Sequence, residues 1–328
     1  MRKATSKVNF ASAINGQKLA RSNSEPASLS RKKHSNRIFW FQMTPALIIL
    51  LIMTIAPAIY LISKSFTNSS LLDSNSQFIG LKNYQSVLTD SSQLHAARVT
   101  GIFVVLVVLI EMVSGLFFAQ FLYKKTRANS VAGALLIVPF AVAPAVAAMI
   151  FRELLNPNYG WVDYFMGLVG LPPQVDWLGN SFTSWIALIV LDVWQWTPYV
   201  TLILIAGMSA LPEEPLEAAA VDGANTWQIF RHISVRLMAP FIAIALVLRT
   251  IQAFKTFDSF LILTGGGPGD STSPVNLEIY RVALQSFRVG YASSMAILLL
   301  IVTSILTPVL LRILGWATKS EVDKLAFK

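Results

Sequence analysis

Apolar residues in this chain gather into six long runs instead of short alternating segments. The runs cover approximately 38–63, 96–123, 130–151, 183–210, 239–263 and 289–314, and each reaches the roughly 20 residues a helix needs to cross a bilayer. The pattern predicts an all-α membrane protein with six transmembrane helices. Pro45, Pro57, Pro139, Pro144, Pro198 and Pro308 fall inside the runs, and prolines in membrane helices usually mark kinks. Between runs, the segment 64–95 contains "FIGLKNYQSVL" and is predicted as a polar loop or short amphipathic helix. The segment 152–182 contains "NPNYGWVDYFMGLVGLPPQVDWLGN", rich in Gly, Pro and Trp, and reads as an interfacial hairpin with aromatic anchors.

Composition agrees. Hydrophobic residues make up 54% of the chain and charged residues only 13%, against roughly 25% charged in soluble domains. Mean hydropathy is +0.58. With no cysteine, disulfides and thiolate metal sites are excluded. His34, His95 and His232 lie too far apart to form a local metal motif, so no metal site is expected.

The formal charge of +9 does not point to nucleic acid, because the basic residues are not spread over a folded surface. Arg2, Lys3, Lys7, Lys18, Arg21, Arg31, Lys32, Lys33 and Arg37 all precede the first run, in a serine-rich stretch with Glu25 as its one acid. Residues 1–37 therefore read as a disordered basic cytoplasmic tail. The first run is longer than a signal-peptide core of about 7–15 residues and lacks a small-residue cleavage site, so it is expected to remain as a span. Placing the N-terminus inside puts 18 of the 26 basic residues on the cytoplasmic side, including Lys124, Lys125, Arg127, Arg231, Arg236 and Arg312. Both termini are then cytoplasmic, with 38–314 as the permeation domain and 315–328 as a C-terminal tail.

One stretch breaks the apolar pattern. "LPEEPLEAAAVDGANTWQIFRHI", within 211–236, lies between runs four and five on the side expected to be cytoplasmic. Pro212, Glu213, Glu214 and Pro215 suit a helix start, where proline is tolerated and acids meet the positive dipole end. Glu217 to Val221 is strongly helix-forming. Gly223 permits a turn, and Asn225 or Thr226 is placed to cap a second helix carrying Trp227, Ile229, Phe230 and Ile233. A helix–glycine–helix knob of this kind suits docking into a groove; its alternative is an ordinary solvated loop packed on its own chain.

These residues resemble the EAA loop of ABC importer permeases: Glu217, Ala218, Ala219, Gly223 and Ile233 match its pattern, while Val235 and Arg236 stand where the pattern has Leu and Pro. A second stretch, "FDSFLILTGGGPGDSTSP" (Phe257–Pro274), resembles the segment after span five in binding-protein-dependent sugar permeases. No Lys-Ser/Thr follows the glycines, so this is not a nucleotide-binding loop. With "FIGLKNY" after span one and "GYASSMAI" opening span six, the resemblance covers 38–314 and identifies the chain with maltose/trehalose-type permeases.

The resemblance implies a transport subunit and not an enzyme, in a bacterial inner membrane. It works beside a second permease subunit, two ATP-binding subunits holding the ATP and Mg, and a periplasmic or lipid-anchored solute-binding protein. It also implies that Glu217, Ala218, Ala219, Asp222, Gly223, Trp227, Phe230 and Ile233 form the contact that couples the permease to the ATPase.

Polar residues inside spans are costly and mark pathways or partners. Asp192, Trp196 and Tyr199 recur at helical spacing in span four, as do Arg249, Gln252 (or Ala253) and Thr256 in span five. Aromatic faces, amides, hydroxyls and carboxylates together suit a sugar. By resemblance to maltose-type permeases, these faces are the substrate path. The alternative for Asp192 and Arg249 is a buried ion pair that touches no ligand, and Lys255 with Asp258 are placed to form another. Glu111 in span two is expected to pair with another subunit, and Gly290, Ser293 and Ser294 to pack helices. Two other classes remain: an ABC permease for a non-sugar solute, and a secondary transporter, which predicts inverted repeats that the sequence does not show.

Overall fold

The computed structural model describes residues 27–326 apart from 74, 125 and 171–174, with side chains described from 40 to 313 outside those gaps. The chain divides into two compact units. The first ends at Tyr60 and holds most of helix α1 (Ala27–Ser65), whose stretch Trp40–Ser65 is apolar and long enough to cross a membrane. Most of the expected basic tail, residues 1–26, lies outside the described residues, and the part from Ala27 onward is helical.

The second unit, from Leu61 on, contains everything that builds the site. After α1 the chain turns through an isolated bridge between Thr67 and Phe78 into α2 (Lys82–Thr89), the short helix expected in "FIGLKNYQSVL". Asn83 in that motif ties the turn down. Its Nδ2 donates to the carbonyls of Ser65 and Thr67, both at 2.8 Å, satisfying backbone acceptors where the helix ends. Helix α3 (Ser91–Leu122) starts at Asp90, which accepts from the Ser92 N–H at 2.9 Å.

Span three is not the single helix that 130–151 predicts. It is a bent pair, α4 (Arg127–Ala141) and α5 (Pro144–Leu154), turned by 93°. Pro144 has no N–H to continue α4 and restricts the residue before it. The Val142 carbonyl exposed at the break accepts from Gln195 Nε2 at 2.8 Å, so a side chain of span four fixes the bend. Between spans three and four lies α6 (Trp161–Leu168), with Trp161, Tyr164 and Phe165 exposed and Asp163 accepting from Trp177 Nε1 at 2.9 Å.

Span four is the unbroken α7 (Ser181–Ser209), capped by Asn180. It packs along α3, where Gly115 lets the helices approach: a Cβ there would lie 2.7 Å from Val200 Cγ1. The loop after α7 forms α8 (Glu214–Val221) and α9 (Thr226–Leu237), and α9 turns by 69° into α10 (Ala239–Phe254). Pro240 supplies the break at this corner, so Arg236 at the usual proline position does not straighten the exit.

Span five also ends earlier than 239–263 predicts. Helix α10 stops at Phe254 because Asn276 Nδ2 captures the carbonyls of Phe254 (2.7 Å) and Thr256 (3.3 Å). The chain continues through a π-helical turn, Phe260–Thr264, to α11 (Val275–Tyr280) and then α12 (Val289–Ala326). The expected C-terminal tail, 315–328, is helical through Ala326. Among the described residues four helices are long and apolar enough to cross a membrane, and six spans result if each bent pair counts as one.

Two apolar clusters hold the second unit together. One contains Phe103, Val107, Leu188, Leu191, Phe260 and Leu277. The other contains Ala119, Val200, Leu204, Met208, Phe230 and Met238. Span six begins against the turn after α1: the Gly290 N–H donates to the Ser69 carbonyl at 3.0 Å, and a Cβ at 290 would lie 2.0 Å from the Thr67 carbonyl oxygen. Ser293 and Ser294 beside it are buried, as helix packing requires.

Candidate functional site

The knob between α7 and α10 is built as its sequence predicts. Pro215 lies in the first turn of α8, and Glu214 and Glu217 face its positive end. Gly223 then adopts φ +86°, the left-handed conformation that residues with a Cβ resist. Asn225, and not Thr226, caps α9 through a reciprocal box: Asn225 Oδ1 accepts from the Gln228 N–H at 2.9 Å, and Gln228 Oε1 accepts from the Asn225 N–H at 2.8 Å. The eight residues predicted for coupling separate into two groups. Glu217, Ala218, Asp222, Gly223 and Trp227 are exposed, with neighbouring Val221 at 87%. Ala219 and Ile233 are half-buried, and Phe230, 7% exposed, is packed among Val200, Leu204, Met208 and Met238. Phe230 thus anchors the knob to the spans, while Trp227, tilted against it at 5.5 Å between ring centres, stays outside. The π-helical stretch Phe230–Ser234 directs Phe230 inward.

The predicted path residues also divide. Trp196 and Tyr199 stand edge to face at 6.0 Å, and Phe140 from α4 closes the corner, 5.6 Å from Trp196 and 5.5 Å from Tyr199. Phe140 carried no signal in the sequence because the bend that delivers it depends on Gln195. Asp192 points elsewhere. It is 1% exposed and accepts from Arg249, which is fully buried.

Arg249 has a second partner that the sequence did not reveal. Its Nε and Nη2 donate to the two carboxylate oxygens of Glu111, the Nη2–Oε1 distance being 2.9 Å. Glu111, fully buried, therefore pairs inside this chain and not with another subunit. Spans two, four and five meet at one guanidinium clasped by two carboxylates, and Arg249 Cζ lies over the Trp196 ring, 5.1 Å from its centre. Among the described residues Arg249 Nη1 and Asp192 Oδ1 lack hydrogen-bond partners.

Gln252 is half-buried on α10, whereas Thr256 lies past the helix end, so the two do not share the helical face their spacing predicts. Ala253 is buried in the core. Lys255 and Asp258 form no ion pair among the described residues, because the break after Phe254 removes the helical geometry that i, i+3 pairing needs. No group of described residues is arranged to hold a metal ion.

The Thr264–Ser273 segment lies at the other end of α7 from the knob. Trp185, in the first turns of α7, donates to the Ser271 carbonyl at 2.9 Å, and a 29-residue helix spans about 44 Å. Gly265, Gly266 and Gly269 all have positive φ. Thr272 Oγ1 donates to the Gly267 carbonyl at 2.7 Å, and Arg281 joins Ser273 and Glu278 at 3.0 and 2.8 Å. The glycine run is thus a cross-braced cap on the chain's own helices.

Comparison with known proteins gives this architecture its context. The trehalose/maltose transport system permease protein MalF of Thermococcus litoralis is 31% identical over 273 residues, covering 83% of this chain and 92% of that protein. The sn-glycerol-3-phosphate transport system permease protein UgpA of Agrobacterium fabrum is 32% identical over 270 residues, covering 81% and 90%. The fold matches a chain of the bacterial alginate ABC transporter, solved in complex with its alginate pentasaccharide-bound periplasmic protein, with a TM-score of 0.77 at 19% identity over 88% of this chain and 98% of that one. Residues 111–319 match the model of the binding-protein-dependent transport system inner membrane component. That match takes in the triad, the knob and the glycine cap, and the chain belongs to this family of membrane-spanning transport components.

Proposed function

We propose that this chain is the permease subunit of an ATP-driven importer for a carbohydrate, glycoside or related polyol in a bacterial inner membrane, with both termini cytoplasmic. It pairs with a second permease subunit. Two ATP-binding subunits, which hold ATP and Mg, engage the knob, and a periplasmic or lipid-anchored solute-binding protein delivers substrate to the opposite face. The observation that carries this reading is the knob itself. A polar, exposed helix–Gly223–helix is rooted through Phe230 in the cluster that joins spans two, four and five. A push on Trp227, Glu217 or Asp222 would reach the spans through a packed side chain instead of a loose loop.

For substrate, the aromatic corner of Phe140, Trp196 and Tyr199 offers faces for the C–H surface of a sugar. The trehalose/maltose and glycerol-phosphate relatives support a polyhydroxylated solute. A thermal-shift screen of the solute-binding protein encoded beside this chain tests the class, using neutral disaccharides, acidic sugars, polyols and amino acids. A carbohydrate or polyol is expected to raise its melting temperature. A shift with amino acids alone would overturn the carbohydrate assignment.

A further inference from the structure

The triad joins three spans, yet neither coupling nor stacking against sugar explains why two carboxylates should share one buried guanidinium. Glu111 takes the Nε and Nη2 edge, Asp192 takes Nη2 as well, and all three side chains are at most 1% exposed. The single positive charge is matched twice over. The guanidinium carbon lies 5.1 Å from the Trp196 ring centre, and Nη1, the nitrogen that neither carboxylate takes, is buried without a partner.

We infer that Glu111 is a specificity-determining positioning residue, which neutralises Arg249 and holds its guanidinium against Trp196, so that the path accepts uncharged polyhydroxylated solutes and disfavours anionic ones. This rests on the substrate path proposed above. An arginine beside a pathway would by itself attract carboxylate or phosphate, the groups its planar fork fits best. Two carboxylates take Nε and Nη2 and the remaining Nη1 is buried, so an approaching anion meets a site of zero or negative net charge. In a low-dielectric interior such a charge is felt across several ångströms. Glu111 hydrogen-bonds Arg249, so it acts on the corner through Arg249. It need not be there to balance charge, since Asp192 alone would do so.

The test compares two solutes of nearly equal size, maltose and its aldonic acid maltobionate. Equilibrium dialysis measures their binding to the complete transporter in nanodiscs, while uptake of maltose is followed in proteoliposomes. Wild type is expected to bind maltose at least about tenfold more tightly than maltobionate, a ratio in the range that a single buried charge contributes. Glu111→Gln leaves the balanced Arg249–Asp192 pair. It is expected to bring the ratio near one and to change the fluorescence of Trp196, isolated by difference against Trp196→Phe. Glu111→Asp keeps the charge and is expected to restore the wild-type ratio. Equal or tighter binding of maltobionate by wild type overturns the inference even if no variant folds, as does an unchanged ratio in a folded Glu111→Gln. A transporter that takes up no carbohydrate sinks the functional reading and this inference together. Normal maltose uptake with no discrimination sinks the inference alone.

Discussion

Removing the guanidinium of Arg249 would leave Glu111 and Asp192 facing each other in an apolar interior. Breaking a buried ion pair from one side costs about 3–5 kcal/mol, because the remaining charge is stranded. Arg249→Met is therefore expected to lower the melting temperature of the purified transporter sharply. Adding Glu111→Gln and Asp192→Asn to Arg249→Met is expected to recover part of the loss, and no recovery would mean the triad is not held by charge. Gly290 carries a different kind of constraint. A methyl at 290 would press on the Thr67 carbonyl oxygen, so Gly290→Ala is expected to destabilise by about 1–3 kcal/mol, the usual range for overpacking. A melting curve checks this too. At this scale the sequence was informative about residue type and poor about partners. Polar residues inside apolar runs marked Asp192 and Arg249 at once, and Glu111 was equally visible. Its partner lies 138 positions away, and no local periodicity connects them.

The spans themselves were legible because about 20 apolar residues in a row leave few other readings; α7 follows its predicted run closely, and α12 begins where predicted but continues to Ala326. Two interruptions were not legible. The 93° bend between α4 and α5 and the early end of α10 both depend on carbonyls satisfied from a distance, by Gln195 and Asn276. Without those amides the freed carbonyls would be unpaired in an apolar setting, and a straight helix would be the cheaper solution. Gln195→Leu is accordingly expected to cost about 1–3 kcal/mol and to move Phe140 away from Trp196 and Tyr199. Reduced carbohydrate binding alongside a lower melting temperature would show both effects. The knob was the most legible element of the site, since its glycine, cap residue and acidic helix start are all local signals. Only the inward turn of Phe230 escaped, because it comes from a π-helical stretch that ordinary helical spacing does not reveal. Since the chain has no cysteine, Val221→Cys provides a unique thiol at an exposed position of the knob. It is expected to cross-link to a cysteine placed in the cleft of the ATP-binding subunit. Failure to cross-link at any cleft position, with free labelling by a water-soluble maleimide in the assembled complex, would remove the knob from that interface.

Across the whole molecule, the two motifs sit at opposite ends of α7, the knob at one and the braced glycine cap at the other. Between them lie the aromatic corner and the triad, so under the proposed function a movement at the knob would pass through Phe230 and the packed spans before it reached the solute. Gly223 makes the turn between the two arms of the knob, and its φ of +86° is closed to proline. The most direct measurement is ATP hydrolysis and carbohydrate uptake on the same proteoliposomes, containing the complete transporter with wild-type chain or Gly223→Pro and supplied with loaded binding protein. The wild type is expected to couple the two. The variant is expected to insert and assemble normally while uptake falls at least about tenfold and hydrolysis no longer responds to the binding protein. Normal uptake by Gly223→Pro would contradict the coupling role of the knob.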